Sequence, residues 1–378
     1  MNNTICYVNQ SAGYLDIDII DDFVHEGQSV ILYTGSNIDY GLLKSSVKIV
    51  TLKAYNKRNT YTRFLSWLIF TIQVVLRLLY RRKCHVFLVS NPPFTIFLPF
   101  ILRLENYVLL IWDIYPDILI QYGFISYKSV IYKLWAKVNK SVFSRAKVIF
   151  TLGKGMKEVI STYSQDTNVV INPNWTDTSK FTPIDKKDNF FAKKHGIEEN
   201  FVVMYSGNLG KTHDVEFIVD LAILLRNYDS FKFIIIGDGY KKDIIARRIH
   251  QNSLANCLLL PFQDFSVLPY SLSCADIAIV TLSPEVSKLS IPSKIYNLMA
   301  VGAAFLAITD EKSELASIIK DYNIGKSFNV NQLKLMEEFL LELKMNNELL
   351  TNFKTNSREA SCNFTKNNAK KYFQLWFN

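Results

Sequence analysis

Lysine, glycine and serine recur in this chain at places where a parallel-sheet protein can hold a phosphate. The stretch Ile291-Pro292-Ser293-Lys294-Ile295-Tyr296-Asn297-Leu298-Met299-Ala300-Val301-Gly302 opens like a helix N-terminus, with Pro292 and Ser293 ahead of an apolar helical pattern that Gly302 stops. The first turn of such a helix presents unbonded backbone N–H groups and the positive end of its dipole, and Lys294 adds a mobile charge there. Upstream, Gly207-Asn208-Leu209-Gly210-Lys211 follows the apolar run Phe201 to Ser206, and Gly237-Asp238-Gly239 follows Phe231 to Ile236. Glycines allow close backbone approach to a ligand, and Lys211 is within reach of a phosphate. A third run, Cys257 to Leu260, leads into Pro261-Phe262; a fourth, Ala275 to Leu282, empties into the polar loop Ser283 to Ser290. Taken alone, Pro292-Ser293-Lys294 also suits an ordinary capped helix. Four strand ends that offer Gly, Lys or Ser along one sheet edge point instead to a phosphorylated ligand.

The elements that must position these residues alternate along the whole chain. Thr4 to Asn9, Ser29 to Tyr33, Val47 to Leu52, Cys84 to Val89, Tyr107 to Ile111, Lys147 to Thr151 and Val169 to Ile171 read as strands. Tyr14 to Glu26, Thr62 to Arg82, Ile96 to Arg103, Ser129 to Ser144 and Lys154 to Tyr163 read as helices between them. Short strands with crossover helices predict a doubly wound parallel sheet. The polar, Pro-punctuated stretch Pro173 to Asp188 separates it from the second sheet.

In this order and spacing, Tyr205-Ser206-Gly207-Asn208-Leu209-Gly210, Ile236-Gly237-Asp238-Gly239, Leu260-Pro261-Phe262 and Ile291 to Gly302 resemble the nucleotide-sugar domain of family 4 glycosyltransferases. In the first half, Ser90-Asn91-Pro92-Pro93, Trp112-Asp113-Ile114-Tyr115-Pro116-Asp117, and Ile171 to Trp175 with Phe181-Thr182-Pro183 resemble the family's turn, cleft mouth and interdomain connection. The similarity covers nearly the whole chain and is greatest to the branch that builds bacterial surface polysaccharides, N-acetylfucosaminyl-type transferases included. It implies an α/β chain of the GT-B arrangement, two Rossmann-like domains facing across a cleft. Residues 1–180 would form the acceptor side, 181–363 the nucleotide-sugar domain, and 364–378 a helix that crosses back to the first domain.

The implied activity is retaining transfer of a sugar from a nucleotide-diphosphate donor, a UDP-sugar foremost, to a lipid-linked saccharide in O-antigen, capsule or exopolysaccharide synthesis. Lys211 and Lys294, with the N–H groups of Gly207, Asn208 and Ser293, would stabilise the departing diphosphate. Gly237, Asp238, Gly239, Phe262, Glu285, Pro292 and Asn297 complete the expected donor site. Gly13 and Trp112 lie on the acceptor side, where Asp113 would orient or deprotonate the acceptor hydroxyl. A plain turn-capping role suits Asp113 equally, a solvated loop suits Glu285, and His213 fits a helix cap. Many relatives carry two glutamates with seven residues between them; here those positions fall on Leu289 and Asn297. The Arg and Lys of their diphosphate clamp fall on Asn208 and His213. No cofactor and no metal are implied.

Composition bounds the alternatives. The 378 residues are 49% hydrophobic with a formal net charge of +9, enough chain for two full cores. Cys6, Cys84, Cys257, Cys274 and Cys362 are scattered, which suits reduced core residues; the five histidines show no metal-ligand spacing. Met1 to Thr4 lacks the positive start of a signal peptide. A nicotinamide site is disfavoured, because neither Asn9-Gln10-Ser11-Ala12-Gly13 nor Gly237-Asp238-Gly239-Tyr240 completes the dinucleotide glycine pattern. A nucleotide-sugar sensor and an epimerase remain as alternatives on the same architecture.

Residues 1–180 carry a balance of +8, and no acidic residue occurs from Tyr40 to Leu104. Within that stretch, Phe64 to Tyr80 is a helix candidate with Phe64, Leu65, Leu68, Ile69, Ile72, Val75, Leu76 and Leu79 on one face; Trp67, Phe70, Val74 and Leu78 make the other face apolar too. Such a helix is inserted in a membrane surface, buried in a core, or spans the bilayer. Its basic flanks favour an anionic inner-membrane surface, hence a cytoplasmic protein peripheral on that membrane. Nucleic acid is disfavoured, for no recognition module accompanies the charge.

Overall fold

A computed structural model describes residues 4–37, 46–56, 58–81, 83–165, 167–210, 214–283 and 287–377. The first half contains strands β1 (Thr4–Val8), β2 (Ser29–Thr34), β3 (Val47–Thr51), β4 (His85–Val89), β5 (Tyr107–Ile111), β6 (Ile149–Thr151) and β7 (Val169–Ile171). Its helices are α1 (Tyr14–His25), α2 (Thr60–Leu78), α3 (Leu98–Leu102), α4 (Asp117–Gln121), α5 (Val130–Phe143) and α6 (Lys154–Tyr163). The second half contains α7 (Phe190–His195), β8 (Phe201–Ser206), α8 (Phe217–Leu224), β9 (Phe231–Ile236), α9 (Lys242–Gln251), β10 (Cys257–Leu260), α10 (Leu268–Ser273), β11 (Ile277–Thr281), α11 (Lys294–Ala300), β12 (Ala304–Ile308), α12 (Glu314–Asp321) and β13 (Gly325–Phe328). Three helices close the chain: α13 (Leu333–Met345), α14 (Asn347–Ser361) and α15 (Asn367–Phe377).

The strands form two sheets ordered β3-β2-β1-β4-β5-β6-β7 and β10-β9-β8-β11-β12-β13, every pairing parallel. The expected doubly wound α/β architecture is therefore present twice, and the fold is GT-B. Parallel strands covered on both faces need continuous apolar runs, not alternation. Tyr107–Ile111, Ile277–Thr281 and Ala304–Ile308 are buried at every position. The chain divides into one compact unit of Met1–Asn174, Lys288–Ser290 and Lys366–Asn378, and another of Trp175–Ser287 and Ile291–Thr365. The terminal helix α15 belongs to the first unit, where it packs against α1. In the second unit Arg358 of α14 donates to the carbonyls of Thr178, Phe181 and Ala300, and Asp276 pairs with Lys186 and Lys354.

Helix α2 starts at a capping box, the Asn59 side chain accepting from the Thr62 N–H and the Thr62 hydroxyl from that of Asn59. Its core side is Ser66, Phe70, Thr71, Val74 and Leu78. Phe64, Leu65, Leu68, Ile72, Leu76 and Leu79 face outward instead. Among the described residues no helix is long and apolar enough to cross a membrane. Four of the five cysteines are buried and all are free; Cys362 is exposed.

Candidate functional site

In the second sheet the strand order reverses between β8 and β11, and the carboxyl ends flanking that point are where a doubly wound sheet receives ligands. Gly207 and Asn208 follow β8 there. The chain leaving β11 returns through Pro292 and Ser293 into α11, which begins at Lys294. The two segments meet: a Cβ added to Gly207 would lie 3.1 Å from Lys294 Nζ and 3.3 Å from the Tyr205 hydroxyl. The Lys294 ammonium sits 3.8 Å from the centroid of the Tyr205 ring, whose hydroxyl donates to the Asn208 carbonyl at 2.8 Å. Tyr205 is fully buried, and burial pushes its phenol up to about 12, so the ring partner stays neutral. Lys294 pairs with no carboxylate among the described residues. Desolvation alone acts on it and pulls its amine down to about 7. Because α11 has only seven residues, the anion-holding capacity of this corner rests on the lysine more than on a long helix dipole.

The neighbouring loops are laced to this corner. Gly207 N–H donates to Ile236 O, Gly237 N–H to Leu260 O, and Leu209 N–H to Asp238 O. A Cβ on Gly237 would stand 2.0 Å from the Gly207 carbonyl, so only glycine fits. Gly239 has φ +143° and an added Cβ would meet Leu209 O at 2.7 Å. Asp238 accepts from the Gly239 N–H and pairs with Lys242, which holds its carboxyl below the usual range. Phe262 stands exposed beyond β10. Asn297 is engaged elsewhere, its side-chain oxygen accepting from the Thr176 hydroxyl, and Leu289, at the other position of the relatives' glutamate pair, is buried. Lys211, His213 and Glu285 lie outside the described residues.

A pocket of ≈ 280 Å³ opens at the carboxyl ends of β11, β12 and β13, lined by Asp214, Thr281, Ser283, Thr309 and Asn329 among others. The buried Ser283 hydroxyl has no partner among the described residues. Hydroxyl and amide groups from separate strand ends suit a polyhydroxylated ring, but they are far apart in sequence and no motif joins them. Among the described residues no group of His, Cys, Asp or Glu is arranged to hold a metal.

In the first unit the sheet reverses between β1 and β4. Gly13 caps α1, and its N–H donates to Asp16, a buried carboxylate that also accepts from the Tyr7 hydroxyl and the Asn9 amide. Gln10 N–H donates to Asn91 O, joining the loops after β1 and β4. Trp112 and Asp113 follow β5. Both of their N–H groups donate to Ser90 Oγ, at 3.0 and 3.3 Å, and the Asn139 amide donates to the carbonyl of Tyr115. Asp113 is exposed as a residue, yet the fold around its carboxyl removes enough hydration to raise it to about 6. That value makes Asp113 able to exchange a proton near neutrality. Ser90 was visible in the sequence only as part of a turn motif; its hold on the Trp112-Asp113 turn across 22 and 23 residues is a product of strand adjacency.

Residues 186–360 match the family model for glycosyl transferases group 1. The chain is also a distant relative of a probable glycosyltransferase WbjE of Pseudomonas aeruginosa, 25% identical over 58% of this chain and 55% of that protein. A putative colanic acid biosynthesis glycosyl transferase, WcaI of Escherichia coli K12, is 25% identical over 49% of this chain and 44% of that protein. The chain thus spans about half the length of the curated relatives it matches. Among solved structures, HepE of Anabaena in complex with UDP and glucose superposes with a TM-score of 0.72 at 13% identity, covering 98% of both chains. Sucrose-phosphate synthase of Thermosynechococcus elongatus gives 0.75 at 13% identity, covering 99% of this chain and 98% of the other. WaaG, a glycosyltransferase involved in lipopolysaccharide biosynthesis, gives 0.68 at 16%, covering 95% of each. At these identities the likeness is one of fold.

Proposed function

We propose that this chain is a retaining glycosyltransferase that moves a sugar from a UDP-sugar to a lipid-linked saccharide during assembly of a bacterial surface polysaccharide. The observation that carries the reading is Lys294, a desolvated amine with no carboxylate partner among the described residues, set against Gly207 at the strand-order reversal of a domain that matches glycosyl transferases group 1. A diphosphate there supplies the negative charge that the lysine lacks. The similarity to WcaI, a putative colanic acid biosynthesis glycosyl transferase, supports a polysaccharide product, and the UDP in the HepE complex supports the nucleotide.

The chemistry follows from charge. The bond between the sugar's anomeric carbon and the diphosphate oxygen breaks, and the diphosphate leaves with the electron pair. Lys294 and backbone N–H groups of Gly207, Asn208 and Ser293 stabilise that charge, with Lys211 as a second cation. The acceptor oxygen bonds the anomeric carbon on the face the diphosphate leaves. Its proton passes to Asp113 or to a departing phosphate oxygen. Phe262 and the Gly237-Asp238-Gly239 turn border the nucleotide, while Gly13 and Trp112 border the acceptor. The hydroxyl-lined pocket at β11–β13 takes part in reading the donor sugar.

The test is to supply the purified chain with UDP-sugars and a lipid-linked saccharide and to follow both. Consumption of donor with extension of the acceptor supports the proposal. A second reading, a nucleotide-sugar sensor, is favoured by one observation: no carboxylate stands at Leu289 or Asn297 to hold a ribose. Donor binding without turnover across a broad panel would select it. Conversion of the donor with no acceptor present would select an epimerase.

A further inference from the structure

We infer that the outer surface of α2, α3 and α5 docks on a bilayer containing anionic phospholipid. The inference rests on the reading that the acceptor is lipid-linked, and adds which surface of the first unit meets the lipid.

Strand order determines how the helices are distributed. From β1 to β2 the chain steps one way along the sheet, whereas β3 to β4, β4 to β5 and β5 to β6 step the other way. Parallel crossovers are right-handed, so α1 covers one face and α2, α3 and α5 cover the opposite one. Helix α3 packs between α2 and α5, which makes the three one layer. Helix α1 contains Asp16, Asp18, Asp21 and Asp22, whereas α2, α3 and α5 contain no Asp or Glu at all. The α2–α3–α5 layer thus carries no carboxylate on its own helices, while on the opposite face Asp18 and Asp21 of α1 pair with Lys366.

The layer's outer surface is apolar where a water-facing surface is ordinarily polar. Ile72 and Leu76 of α2 are 50% and 57% exposed, Ile101 of α3 54%, and Ile131 and Leu134 of α5 60% and 62%. On α2 the residues Leu65, Leu68, Ile72, Leu76 and Leu79 recur at helical spacing, an apolar stripe about 20 Å long that lies along the surface. Cations flank it. A groove of ≈ 560 Å³ beside the C-terminal half of α2 is lined by Lys48, Arg77 and Arg81 with Tyr33 and Leu76, and among the described residues by no carboxylate. A second groove, between α3 and α5, holds Arg103 and Arg145 against one carboxylate, Glu105. Apolar residues that enter the acyl boundary, with cations at the depth of the headgroup phosphates, form the pattern of an interfacial helix. Charge selects the occupant: a neutral apolar partner has no use for the grooves, and free phosphate has none for the stripe.

The test uses the full chain and sedimentation with vesicles of phosphatidylethanolamine carrying increasing phosphatidylglycerol. Binding should rise with phosphatidylglycerol and fall with salt. Arg77→Gln with Arg81→Gln should weaken it about fivefold per charge, and Ile72→Glu with Leu76→Glu should abolish it at unchanged unfolding temperature. If that pair lowers the unfolding temperature, Ile131→Glu on α5 serves as the second variant and should weaken binding alike. Donor affinity measured without vesicles should be unaltered in every variant, which separates this inference from the transferase reading. Indifference of the unmodified protein to anionic vesicles overturns the inference, as does equal binding by the glutamate variants. Self-association that these variants abolish, in place of vesicle binding, would assign the face to a second copy.

Discussion

Replacing Lys294 with methionine should stabilise the unliganded protein and abolish transfer, and in the native chain the same lysine should make stability rise and donor affinity fall as pH increases. In the unfolded chain this amine holds its proton to about 10.5, in the folded chain only to about 7. Between those values the unfolded state binds the extra proton, so the stability of the native chain rises with pH across that window. Below it both states are charged and the whole desolvation cost is present, about 5 kcal/mol at the limit. The side chain keeps some contact with water, so solvent screening reduces the recoverable gain to about 2 kcal/mol at pH 6, and to less than about 1 kcal/mol by pH 9. Urea unfolding of the native and Lys294→Met chains at the two pH values measures this directly.

Donor binding reverses the requirement, because a diphosphate needs the ammonium form. Above pH 7 the donor must bring a proton with it, so its affinity should fall about fiftyfold between pH 7 and pH 9. Calorimetry in buffers of different ionisation heat should register uptake of about one proton at pH 9. Donor affinity that is level from pH 7 to 9, or a Lys294→Met chain no more stable than the native one at pH 6, would refute the account of this lysine.

The remaining expectations are shorter. With Asp113 raised to about 6 by burial, its carboxylate form is present above that value and lost below it; turnover should therefore climb through pH 6, and Asp113→Asn should remove that acidic limb along with about a hundredfold or more of kcat. Ser90→Ala deletes the acceptor for the Trp112 and Asp113 N–H groups; it should lower turnover about tenfold while isothermal titration finds donor affinity intact. Gly237→Ala forces a methyl into the Gly207 carbonyl; it should destabilise the protein by about 1–3 kcal/mol and weaken donor binding, read from thermal unfolding with and without UDP.

Eleven of the thirteen strands were legible because a strand covered on both faces is a short apolar run; β12 and β13 were not read, and β13, Gly-Lys-Ser-Phe, has no apolar run to show it. Gly207, Gly237 and Lys294 were legible as residue types, since close backbone approach and phosphate charge each restrict the choice. Helix α2 was not. Both of its sides are apolar, so periodicity established a helix without indicating which side is inside. The sheet beneath decided: Phe70, Val74 and Leu78 entered the core, and the stripe through Leu68, Ile72 and Leu76 remained outside. Asn297 illustrates a second limit, for its position in a recognised motif carries no information about Thr176, 121 residues away, which takes up its side-chain oxygen. Ser90 beneath the Asp113 turn and the hydroxyls of the β11–β13 pocket belong to the same class. The sequence by itself determined the elements and the local chemistry of each strand end, because those depend on neighbours in the chain. Burial, partner choice and the lowered proton affinity of Lys294 depend on neighbours in space, and only the assembled sheets supply them.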